Sequence, residues 1–356
     1  MNSMMSDVVV IKVGTSSVTT ARGDVDVAVL ANIAADVQTH VASGGQVVLV
    51  TSGAITAGWS AVGQGAARPT EARILQAVSA VGQPLLMDAW RGAFASFDRA
   101  VGQVLLAPHD FADRTQYLHA RGTIEALWQL GVVPVVNEND AVADEEIRYG
   151  DNDRLAALVA NLVGATRLIL LTDTAGLLTG DPRLDPSATL IEEVQTLDDE
   201  LMASASGSTS GVGSGGMASK VAAARMAQWS GIETVIAPAR DAGVVGRVLA
   251  HESGLGTTVR PRSERLSARK AWIAFALPTT SRLVINEGAA RALRDGGSSL
   301  LAVGIVSVAN AFASHDAVEL VDESGALLAK GLSRVSSEQL EEAGVVIHRD
   351  ELVVLI

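Results

Sequence analysis

The residues of this chain best equipped for chemistry are two of its lysines. Four lysines, at 12, 220, 270 and 330, stand among 27 basic residues; the rest are arginines. Where arginine serves as the general cation, a lysine beside a glycine-rich turn points to a site needing a compact ammonium, such as a phosphate site. Lys220 closes "SGVGSGGMASK", Ser210 to Lys220, in which Gly211, Gly213 and Gly216 satisfy G-x-G-x-x-G. A dinucleotide fingerprint must follow a strand within a βαβ unit. Here "LMASASGSTS" precedes it, a run of small polar residues, so a nicotinamide or flavin site is set aside. The helix expected from Met217 to about Trp229 offers a phosphate cradle instead. Glycines at its entry leave backbone N–H groups free for an anion, and Lys220 lies one turn inside. A Walker A loop is absent. The same composition also fits a plain flexible linker.

Lys12 belongs to a second pattern. "VVVIK" leads into "VGTSS", "VVLV" into "TSGA", "VVPVV" into "NEND" and "LILL" into "TDTAG". Each is an apolar strand running into a polar turn. In open α/β sheets, ligands bind beyond the carboxyl ends of the strands. Four such turns on one rim make a site of hydroxyls, amides and carboxylates into which Lys12 reaches. "YGDNDRLAALVA" adds Asp151, Asn152 and Asp153 at a helix start. One could be a cap, but three exceed that need. Carboxylates there could orient the ammonium groups or receive a magnesium ion.

The elements that must hold these residues alternate strand-like and helix-like over the first 260 residues, the pattern of a parallel sheet covered by helices. Pro84 is expected to interrupt the helix over "ILQAVSAVGQPLLMDAWRGAF", and Pro134 to make the strand "VVPVV" irregular. Residues 261–270, within the basic "RPRSERLSARK", are expected to be a linker. Beyond it "WIAFAL", "SRLVIN", "GIVSV", "AVELVD", "ALLAKGL" and "ELVVLI" are expected short strands of a small mostly-β domain over 271–356.

At 356 residues the chain can bury two cores. It has no cysteine, so disulfides and thiolate chemistry are excluded, and its six histidines form no zinc-type pair. Net charge is −13. Residues 270–356 carry eleven acidic side chains against seven basic ones. Both balances disfavour nucleic acid and acidic membranes as partners. Without an apolar run of membrane-spanning length or a basic leader, a cytoplasmic protein is expected.

Taken together, "VVVIKVGTSSVT", "VVLVTSGAITAG", "LQAVSAVGQPLLM", "VVPVVNENDAVA", "RYGDNDRLAALVA", "LILLTDTAGLLTGDPR", "SGVGSGGMASKVAAA", "NEGAARALRDGGSSLLAVGI" and "HRDELVVLI" resemble the glutamate 5-kinases in order and spacing across nearly the whole chain. The resemblance implies an amino-acid kinase fold, a three-layer αβα sandwich on a mainly parallel open sheet, over residues 1–260. A PUA pseudo-barrel would follow. It implies ATP-dependent phosphorylation of the γ-carboxylate of L-glutamate, opening proline biosynthesis, with Mg2+ accompanying ATP. By motif, Lys12 and Lys220 would neutralise the transferring phosphoryl group and Asp153 would hold both lysines. Ser52, Asp140 and Asn152 match glutamate-binding positions, with Asn137 nearby. Lys12, Thr172, Asp173, Ser214, Gly215, Gly216, Met217 and Lys220 match ATP-binding positions. No metal ligand is assigned. The resemblance further implies feedback inhibition by proline; the labile acyl phosphate product makes hand-over to a glutamyl-phosphate reductase an expectation, and a homo-oligomer is expected. Ala302, Gly122 and "HRDEL" depart from the usual pattern, away from these positions.

Overall fold

The structure is a computed structural model, and it describes residues 7–63, 67–142, 152–180, 185–198, 201 and 216–355. The chain divides between Arg265 and Leu266 into two compact units.

The first unit is built on eight strands and nine helices among the described residues. In chain order these are β1 (Val8–Val13), α1 (Thr15–Val18), α2 (Val27–Ala42), β2 (Gln46–Thr51), α3 (Ala54–Val62) and α4 (Ala72–Ala95). Next come β3 (Val101–Leu106), α5 (Pro108–Ala112), α6 (Arg114–Gln129), β4 (Val133–Glu138), α7 (Asn152–Val163) and β5 (Arg167–Thr172). The unit closes with β6 (Glu193–Val194), α8 (Met217–Trp229), β7 (Glu233–Pro238), α9 (Val244–Leu249) and β8 (Thr257–Val259). The sheet order is β3-β4-β2-β1-β5-β7-β8-β6, parallel throughout except for the β7–β8 pair.

Period-two alternation sorts the strands' side chains into two layers. Val9, Ile11 and Val13, level with Leu49, Val135 and Ile169, pack against α2, α4 and α9. The opposite face carries Val10 and Lys12 and is covered by α6, α7 and α8. This is the expected αβα sandwich. The chain runs outward from β1 through β2, then returns to place β5 on the other side of β1. Connections reverse direction there, the position in open α/β sheets beyond whose strand ends ligands bind. α7 is buried on nearly every side, from Asn152 to Ala160 apart from Arg154, because sheet, α6 and α8 all enclose it.

Two proline expectations need correction. Pro84 lies inside α4, yet the helix runs unbroken over 24 residues. Pro84 and Ala80 both face solvent, so water can satisfy the carbonyl that the proline leaves without a donor. Pro134 sits in a regular strand with neighbours on both sides. Val133 donates to Ala100 on the β3 side, so the missing Pro134 donor faces β2, where pairing begins only at Val135.

The second unit begins inside the stretch expected to be a linker. Ser267 caps a helical turn, α10 (Ala268–Ala271), and the chain continues as a further helical turn over Trp272–Ala276. The "WIAFAL" segment is therefore not a strand. Ile273, Ala274 and Ala276 are all buried, a pattern without alternation, and Ile273 and Ala274 pack against Ala317, Leu332 and Val353. A five-stranded sheet follows: β9 (Ser281–Ile285), β11 (Ile305–Val308), β12 (Ala317–Val321), β13 (Leu327–Leu332) and β15 (Leu352–Val354). Its order is β11-β9-β12-β13-β15. The pair β10 (Leu300–Leu301) and β14 (Val345–Ile347) and the helix α11 (Glu287–Arg294) close a core around Leu283, Leu320 and Ile347.

Candidate active site

Lys12 is the second-last residue of β1, and alternation turns it toward α7. Its neighbours are apolar, so an unpaired ammonium there would be costly. The Lys12 Nζ lies 2.8 Å from Oδ1 of Asp153, in the first turn of α7. Lys220, from the first turn of α8, donates to Oδ2 of the same carboxylate at 3.2 Å. The Ser219 hydroxyl also donates to Oδ2, at 2.7 Å. Asp153 is fully buried, while Lys12 and Lys220 are 2% and 5% exposed. Burial alone would push the Asp153 carboxyl up, but both ammonium groups and these hydrogen bonds outweigh it and hold it below its ordinary value. One carboxylate between two ammonium groups leaves a local excess of positive charge. That is the property an anionic phosphoryl group needs.

The preceding residue does a different job. The Asn152 Nδ2 donates to the Thr51 carbonyl at 2.5 Å and to Oδ1 of Asn137 at 2.7 Å, tying together the ends of β2 and β4. Two consecutive residues of α7 thus join an amide cluster to the ammonium cluster. Ser52 follows β2 directly, and Gly53 adopts φ +103° to turn the chain into α3. A Cβ on Gly53 would meet Val18 at 2.7 Å, so α1 presses against this turn. The Ser52 Oγ, Asn137 Nδ2 and Asn152 Oδ1 are buried without a hydrogen-bond partner among the described residues. Each such group costs about 1–3 kcal/mol. These three atoms are available to hydrogen-bond a polar ligand.

Asp140 lies beyond β4, buried, and accepts from the Ser79 Oγ at 3.0 Å. Burial pushes its carboxyl up to about 6, although the Ser79 hydrogen bond and the Arg68 charge pull the other way. On the other side of β1, Thr172 ends β5 one residue past Leu171, which is level with Val13. Thr172 is buried and its Oγ1 lies 3.3 Å from Oδ1 of exposed Asp173. Gly216 caps α8 with extended backbone, and Met217 opens the helix. Ser214 and Gly215, like Asp151, lie outside the described residues.

Sequence spacing alone did not mark Thr51, Ser79, Gln83 or Ser219. Ser79 and Gln83 fall in the buried stripe of α4, with Leu75, Val78, Gly82 and Leu86. A polar residue in a core-facing stripe was the available signal. Among the described residues no group of three or more His, Asp or Glu side chains converges on one point. Asp153 is already committed to two ammonium groups, so these residues do not fit a protein-held magnesium ion.

Comparison with known proteins agrees with this geometry. A family model described as "Amino acid kinase family" matches residues 7–238, and one described as "PUA domain" matches residues 281–349. The chain belongs to the amino acid kinase family. It is 43% identical over 367 residues to Glutamate 5-kinase of Chromobacterium violaceum, covering 98% of each chain. It is 43% identical over 368 residues to Glutamate 5-kinase of Gloeobacter violaceus, covering 97% of this chain and 99% of that one. At this similarity over the full length it falls, within that family, among the glutamate 5-kinases. Carbamate kinase from Giardia lamblia bound to AMP-PNP shares the fold at TM-score 0.50 and 19% identity, covering 72% of this chain and 99% of that one.

Proposed function

We propose that this protein transfers the γ-phosphoryl group of ATP to the γ-carboxylate of L-glutamate, giving L-glutamyl 5-phosphate and opening proline biosynthesis. The observation that carries this reading is the pair Asn152–Asp153. One residue organises an amide-lined pocket suited to an amino acid, and the next organises two ammonium groups suited to a phosphoryl group. A carboxylate nucleophile is already ionised at neutral pH, so the reaction needs no general base. The barrier is the approach of two anions. Lys12 and Lys220 lower it by placing fixed positive charge where the transferring group gains negative charge. Asp153 keeps both ammonium groups in position.

On the amino-acid side, Ser52 Oγ, Asn137 Nδ2 and Asn152 Oδ1, which have no partner among the described residues, supply hydrogen bonds to the substrate, and Asp140 supplies the negative charge for its ammonium. On the nucleotide side, Thr172 and Asp173 at the end of β5 and Gly216 and Met217 at the start of α8 take part in binding ATP, as do Ser214 and Gly215 by sequence. Magnesium would arrive with ATP. The first unit, up to Arg265, carries this chemistry, and the second, from Leu266, is the appended domain. No described helix is long and apolar enough to cross a membrane, and we place the reaction in the cytoplasm. The product is an acyl phosphate prone to hydrolysis, so prompt reduction by a glutamyl-phosphate reductase follows, with proline as feedback inhibitor of a homo-oligomer.

Hydroxylamine trapping tests the reading. With ATP and glutamate the purified protein should yield γ-glutamyl hydroxamate in step with ADP. ADP release without hydroxamate would contradict acyl phosphate formation.

A further inference from the structure

We propose that Ser79 is a positioning residue for the amino-acid site: its hydroxyl, carried on α4, fixes the Asp140 carboxylate in the orientation that receives the substrate's ammonium group. The inference rests on the glutamate reading above.

The contact is long-range and buried. Ser79 is 0% exposed, Asp140 is 7% exposed, and 61 residues separate them in the chain. A serine within a helix commonly turns its hydroxyl back to the carbonyl one turn earlier. Ser79 instead points across to the loop after β4, where its hydroxyl donates to Oδ2 of Asp140. Alanine would fill the same place in the apolar stripe of α4 without burying a hydroxyl, so packing does not explain the serine.

The helix that carries Ser79 has little slack. A Cβ on Gly82 would fall 1.7 Å from the Ala54 carbonyl oxygen, and one on Gly58 would fall 2.0 Å from the Val78 carbonyl oxygen. α3 and α4 are therefore in backbone contact on either side of Ser79, and α3 starts two residues after Ser52. One turn further along α4, Gln83 reaches the Glu138 carbonyl at 3.5 Å, two residues before Asp140. α4 thus touches the β4 loop twice, and Ser79 is the contact made to a carboxylate. The charged group facing Asp140 from the segment before α4 is Arg68. The hydroxyl and the guanidinium both favour the ionised form, which the substrate's ammonium requires.

The pH dependence of kcat/KM for glutamate tests this in the wild type, Ser79→Ala, Asp140→Asn and the double variant. Binding weakens as Asp140 gains a proton. Losing the hydroxyl should therefore move the acid limb of the Ser79→Ala profile toward neutral by about one pH unit. The KM for ATP and kcat at saturating glutamate at pH 8 should stay within about twofold of wild type. In the Asp140→Asn background the same substitution should leave the acid limb unmoved. An unshifted limb in folded Ser79→Ala overturns the proposal. A second readout needs no turnover. Thermal unfolding at pH 5, where Asp140 is protonated, and at pH 7.5, where it is ionised, should show Ser79→Ala losing more stability at the higher pH. Equal losses overturn the proposal. Absence of glutamate-dependent turnover in the wild type would instead refute the glutamate reading, and the unfolding comparison would still decide the Ser79–Asp140 contact.

Discussion

Replacing Asp153 by asparagine removes one charge and almost no volume, so its consequences come from electrostatics. Lys12 and Lys220 lie 2.8 Å and 3.2 Å from the two carboxylate oxygens, and all three side chains are buried. Each contact is attractive by up to roughly 4–6 kcal/mol at an effective dielectric near 20, offset by several kcal/mol of desolvation per ion. Removing one partner of such a buried set typically costs about 3–5 kcal/mol, because the remaining charges stay buried without compensation. Asparagine can still accept from one lysine, which places Asp153→Asn at roughly 4 kcal/mol of lost stability by comparison with that range. Urea unfolding at constant m-value measures this. Saturating ATP should recover part of the loss, since its phosphates supply the missing negative charge to both ammonium groups. The pH dependence has a definite sign. Asp153 is held below its ordinary value of 3.8 in the folded protein. Its stabilisation is therefore full above that value and fades only as pH falls through the lower, folded-state value. The gap between wild type and variant should be flat from pH 8 to about 5 and close only in stronger acid. A loss below about 1 kcal/mol, in the range of an exposed ion pair, would refute the claim that Asp153 organises the site.

Further outcomes follow from the same geometry. Lys220→Ala should lower kcat by at least about 10²-fold, as loss of a preorganised charge does; steady-state kinetics showing activity within about threefold of wild type would remove it from the catalytic set. Asn152→Ala should cost about 1–3 kcal/mol by denaturant unfolding, because the Thr51 carbonyl and Asn137 Oδ1 lose their shared donor. Its KM for glutamate should rise more than its KM for ATP. Gly82→Ala puts a methyl into the Ala54 carbonyl and should destabilise the protein by about 1–3 kcal/mol in the same unfolding assay.

Much of the site was legible in the sequence because its parts lie where strands end. The run from Val8 to Val13 has to be a buried strand, and its period of two puts Lys12 on one particular face. Residues after β2, β4 and β5 then share a rim with it because the strands are parallel. What a single chain could not show is which side chains meet across the rim. Ser79 and Gln83 sit in a helix whose apolar period is set by packing, and Ser219 is overshadowed by its neighbour Lys220. The errors have a common source in local rules overridden by context. Pro84 is expected to interrupt a helix, but the Ala80 carbonyl that it leaves without a donor lies on an exposed residue. "WIAFAL" was expected to be a strand, but its apolar residues are enclosed on several sides and do not alternate.

On the proposed function, the amide cluster of Asn137 and Asn152 beside Lys12 and Lys220 selects glutamate as phosphoryl acceptor. Coupled ADP release from the purified protein, measured with glutamate, acetylglutamate, aspartate and carbamate in parallel, addresses it most directly. Turnover with glutamate should exceed that with each of the others by at least about tenfold in kcat/KM, a difference of roughly 1.4 kcal/mol. No glutamate-dependent ADP release, or equal turnover with another acceptor, would contradict the account.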